Sequence, residues 1–149
     1  MPLLSPASRA AAQRLVARAS ESGDAGASDT VAHADRVYRA MGSTLTRWFG
    51  PYGYHALLAR ALAETRPAHP ALAAASVKGA TDPRLEGIAN AATEYGVDAT
   101  VDAMTDVAAA VVELLGRLIG EDMAARLIDA VVPELENAAG STVDAKEQT

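Results

Sequence analysis

The chain has 149 residues, no cysteine and a net charge of −6. Its length favours one domain with its own core. The missing cysteines exclude disulfides, thiol catalysis and cysteine-held metals, and the acidic balance argues against nucleic-acid binding. Alanine supplies 35 residues, against one Trp, one Phe and four Tyr. Alanine is the best helix former, so an all-α fold is expected, with helices that approach closely and bury little area each. No run approaches about 18 apolar residues, so no membrane span is expected, and a cytoplasmic protein is the reading.

Residues 1–27 read as an N-terminal helical arm and linker. Ser5 suits an N-cap, with Pro6 in the first turn. Arg9, Arg14 and Arg18 precede the first acid, Glu21. Such a start resembles an organelle transit peptide in composition, but a solvated or loosely docked helix is preferred. S-G-D-A-G-A-S at 22–28 is the linker.

A helical bundle is expected over 28–135. Ser28 or Asp29 opens its first helix. Val31, Ala34, Tyr38, Met41, Leu45 and Trp48 keep a four-and-three spacing, which gives one buried face. W-F-G-P-Y-G-Y at 48–54 breaks that helix, and Pro51 starts the next. Tyr54, Leu57, Leu58, Ala61, Leu62 and Thr65 make the inner face of this second helix. Pro67 and Pro70 stop it. A short helical segment over A-L-A-A-A-S and a loop, V-K-G-A-T, are expected next. Asp82-Pro83 then opens a helix whose stripe is Leu85, Ile88, Ala92 and Tyr95, ending at Gly96.

The organising element is predicted over Val97–Ile119. Val97, Val101, Met104, Ala108, Val111, Leu115 and Leu118 alternate by four and three. Val107, Val112, Leu114 and Ile119 widen the stripe. A stripe that wide marks the centre of a bundle. Gly96 and Gly120 bound the helix. Gly116 and Gly120 have the spacing that lets a neighbour approach closely. After Gly120, Met123, Leu127, Ile128, Val131 and Val132 face inward, and Pro133 limits the last helix. Residues 136–149 are polar, unpatterned and read as a disordered tail. About five main helices result.

The chemistry is sparse. His33, His55 and His69 lie apart in sequence, and neither Glu-x-x-His nor H-E-x-x-H occurs, so no metal site is predicted. A phosphotransfer role for His33 is the weakest reading, and a plain surface histidine is favoured. The aromatic stretch offers one small-molecule pocket, with Trp48, Tyr54, His55 and Arg60 as ligand-binding residues. His55 as an axial haem ligand is one version of it. The simpler reading is that these aromatics plug one end of a thin core. Asp98, Asp102, Asp106, Glu121 and Asp122 fall in early helical turns, where the dipole favours them. No serine has a His and acid companion, so no catalytic residue is assigned and an enzyme is not expected. No cofactor is expected. The preferred function is a regulatory or interaction module acting through a protein partner or a homo-oligomer. The alternative is a small-molecule sensor.

Overall fold

The computed structural model describes the backbone of residues 5–22, 30–79 and 84–147, and within them the side chains of 5–19, 31–79, 85–88 and 90–135. Five helices are found there: α1 (Pro6–Ser22), α2 (Thr30–Thr65), α3 (Ile88–Tyr95), α4 (Val97–Ile119) and α5 (Glu121–Glu147). Two short strands, β1 (Ser76–Lys78) and β2 (Arg84–Glu86), sit between α2 and α3. The fold is an all-α bundle.

α4 is its axle. Five consecutive residues, Val107 to Val111, are all buried. Five residues make more than a full turn, so the helix is covered on every side there. The cover comes from α1, α2, α3 and α5, each of which packs on α4. The expected stripe is buried at Met104, Ala108, Val111 and Leu115 but opens at both ends: Val97 and Leu118 are exposed. These two residues sit at the corners where the chain reverses, beyond the reach of the neighbouring helices.

Those corners are single glycines. The Gly96 amide closes α3 on the Ala92 carbonyl, and the Gly96 carbonyl receives the Thr100 amide that opens α4. One residue serves both helices because its φ of 95° turns the chain sharply, a conformation costly for any side chain. Gly120 repeats the arrangement between Gly116 and Ala124. No neighbouring helix approaches Gly116 closely: a Cβ there would meet only the Glu121 side chain, at 4.0 Å.

α1 is capped as expected, with the Ser8 amide donating to Ser5 Oγ at 3.1 Å. It is firmly docked rather than loose. Ala12, Leu15 and Ala19 are buried, and the helix packs on α4, α2 and α5. The linker and the capping residues Ser28 and Asp29 lie outside the described residues.

The segment after α2 differs most from expectation. Two 3-10 turns, Arg66–Ala68 and Pro70–Leu72, replace the short helix. Arg66 holds them by donating to the carbonyls of Leu72 and Ala75, at 3.2 and 2.7 Å. The expected loop contains β1, paired antiparallel with β2 so that Val77 faces Leu85. Leu85 is buried, but from a strand, and α3 begins only at Ile88. Asp82-Pro83 lies outside the described residues. Within α3 the buried residues are Ile88 and Ala91, while Tyr95 is exposed.

Pro133 lies inside α5 rather than ending it, and the backbone of 136–147 continues in that helix. Pro133 is exposed, so water can take up the carbonyl that a missing amide leaves without a partner.

Candidate interaction site

The aromatic stretch forms an elbow. Helical φ/ψ is broken only at Gly50, with φ 75° and ψ 167°, and Pro51 follows. Beyond it the Tyr54 hydroxyl donates to the Tyr38 carbonyl at 3.0 Å, 16 residues back. In a straight helix 16 residues span about 24 Å, so the two halves of α2 fold back on each other. Missing side chains permit the close fit. A Cβ on Gly42 would lie 3.0 Å from the Tyr54 ring, and one on Gly53 would lie 2.7 Å from Phe49 Cβ. The Tyr38 hydroxyl in turn donates to the Met104 carbonyl, tying the elbow to α4. Burial, with Tyr54 adding to it, pushes that hydroxyl well above the ordinary tyrosine range.

The four residues expected to share a pocket differ in their settings. Tyr54 is fully buried and serves the core. Trp48, expected on the inner face, is 59% exposed, at the point where the first half of α2 ends. His55 is half-buried. Arg60 points outward and pairs with Glu64 at 2.7 Å. Three cavities are lined by other residues. Tyr52, not singled out by the sequence and two residues past the break at Gly50, is 76% exposed. The stretch therefore presents an aromatic knob to solvent, with the exposed Arg47 at its base bound to Glu134 at 2.7 Å.

His33 is 6% exposed and its Nδ1 has no hydrogen-bond partner. It is not a surface histidine, and a phosphate-accepting one has to be. Asp29, four residues before it, lies outside the described residues.

Two polar clusters were not legible as spacings. Asp106 on α4 receives His69 Nε2 at 2.7 Å and Arg9 Nε at 3.3 Å. The pair lies 37 residues apart in sequence, so only the fold joins them. It fastens α1 and the 3-10 turns to α4. Next to it is a groove of about 170 Å³, lined by His69, Pro70, Ala71, Tyr95, Ala99 and Asp102. The second cluster centres on Glu113. Its Oε2 accepts the hydroxyls of Ser8 at 2.5 Å and Ser5 at 2.9 Å. The Ser8 bond is the main cause holding this carboxyl below the ordinary range. Burial opposes it, and Ser5 and Arg117 reinforce it. Glu113 lines a wider groove of about 450 Å³ between α1, α4 and α5.

Among the described residues no three His, Cys, Asp or Glu side chains are grouped to hold a metal ion. No helix there is long and apolar enough to cross a membrane. No family model, curated protein or solved structure matches the chain.

Proposed function

We propose that the protein is a helical interaction module whose contact surface is the elbow tip formed by Trp48 and Tyr52. One observation carries this reading: two large aromatic side chains stand in solvent on a turn fixed by buried tyrosine contacts. Exposing such surface costs free energy. Tryptophan and tyrosine are also the residues on which binding energy concentrates at protein contacts. The rigid base matters because little entropy is lost when a preorganised knob docks. The thin alanine-rich core adds support, since further burial against another chain would supplement it.

The test is sedimentation of the wild type and of the Trp48→Ala/Tyr52→Ala variant over a wide concentration range. The wild type is expected to associate and the variant to remain monomeric with an unchanged unfolding midpoint. Equal association of both would remove the elbow from the contact.

A further inference from the structure

The groove of about 450 Å³ between α1, α4 and α5 is opened by small residues. Ala7 and Ala11 line it from α1, Gly116 from α4, and Ala124 and Ala125 from α5. A Cβ on Gly116 would meet only Glu121 Cγ, at 4.0 Å, so the groove reaches the backbone of α4 there. Its volume falls among sites that hold a whole small molecule, about 300–1,000 Å³. No elbow residue lines it.

Glu113 is the polar group built into this groove. It is half-buried, and its Oε2 takes the hydroxyls of both Ser5 and Ser8. Its Oε1 accepts no hydrogen bond from a described residue, yet it is not one of the buried polar atoms left without a partner. One oxygen thus fastens the acid to α1 while the other stays accessible. An ionised carboxylate with lone pairs to spare is matched best by a charged N–H donor. The other charged residues of the lining are Arg14, Arg117, Glu121, Asp122 and Asp129. All five are exposed, so water and salt screen them, and Glu113 is the least screened charge in the groove. Its sign favours a cation and opposes an acid.

We infer that this groove binds a small aliphatic amine, with the ammonium on Glu113 Oε1 and the apolar chain along the alanines of α1 and α5. A lone lysine side chain from a protein would fill only part of the volume, so the occupant is a free molecule. The site stands apart from the elbow, and its failure would leave the elbow reading as it is.

Hexylamine is the probe. At about pH 7 it carries a full charge, as lysine does with its pKa near about 10.4. Titrated into the full chain and followed by NMR, it is expected to shift the amides of Ala7, Ala11, Ala124 and Ala125 to saturation. Hexanoate has the same chain and the opposite charge. A lysine blocked at both ends carries the ammonium on a peptide unit. Each should bind at least about tenfold more weakly than hexylamine. Glu113→Gln keeps an oxygen for the serine hydroxyls and removes the charge, and it should weaken hexylamine binding at least about tenfold. Gly116→Leu fills the groove without touching the carboxylate, at a helical position where leucine is favoured over glycine. It should weaken binding as much. Circular dichroism confirms that each variant is folded. If Glu113→Gln does not fold, Gly116→Leu and the hexanoate comparison decide. No saturable shift with hexylamine overturns the inference, and so does a shift at those amides that survives in either folded variant. Hexanoate binding as tightly as hexylamine overturns the amine class, and blocked lysine binding as tightly overturns the free molecule.

Discussion

Glu113 shows how one side chain can couple the docking of α1 to pH. Its carboxylate is held ionised by the Ser8 and Ser5 hydroxyls. A carboxyl whose folded affinity for protons is depressed adds stability above its unfolded pKa, near about 4.3 for glutamate. That stability is lost as pH falls through the lower folded value. Ser8→Ala should therefore cost about 1 kcal/mol at neutral pH, and the gap between variant and wild type should narrow below about pH 4. Denaturant unfolding of both chains from pH 7 to pH 3 measures this, and a gap that is constant with pH would contradict it. Trp48 is the opposite kind of residue. It is large yet largely uncovered, so Trp48→Ala should change monomer stability by no more than about 0.5 kcal/mol.

Among the elements, the elbow depends on a backbone conformation that side chains avoid. Gly50 has nothing within 4 Å of where a Cβ would stand, so Gly50→Ala meets no clash and probes φ alone. It should cost about 1–3 kcal/mol, read as a lower denaturant midpoint with an unchanged slope. The helices themselves were legible because their signals are local. Gly96 and Gly120 mark both ends of α4, and its wide apolar stripe implied cover on several sides. Gly50-Pro51 marked the elbow, but its direction was hidden, and with it the exposure of Trp48, because Tyr54 reaches Tyr38 only once the chain has reversed. β1 and β2 have three residues each, too few for alternation to show. Pro133 misled because a proline can kink a helix without ending it, and at this exposed position water can take up the freed carbonyl. The His69–Asp106 contact has no spacing to read, since a 3-10 turn, a ribbon and α3 come between its partners.

The whole molecule is a bundle around α4 with an aromatic knob at one end of the second half of α2. The monomer does not need the knob for the centre of its core, where Met104, Val107, Val111 and Leu115 are buried. The knob is then free to serve contact. The elbow's role can be followed directly, because Trp48 is the sole tryptophan. Its fluorescence should be water-like and open to a soluble quencher in dilute solution. As protein concentration rises, emission should shift to the blue and quenching should fall. Emission that is already blue and protected at the lowest concentration, or that stays unchanged through the whole titration, would contradict the account.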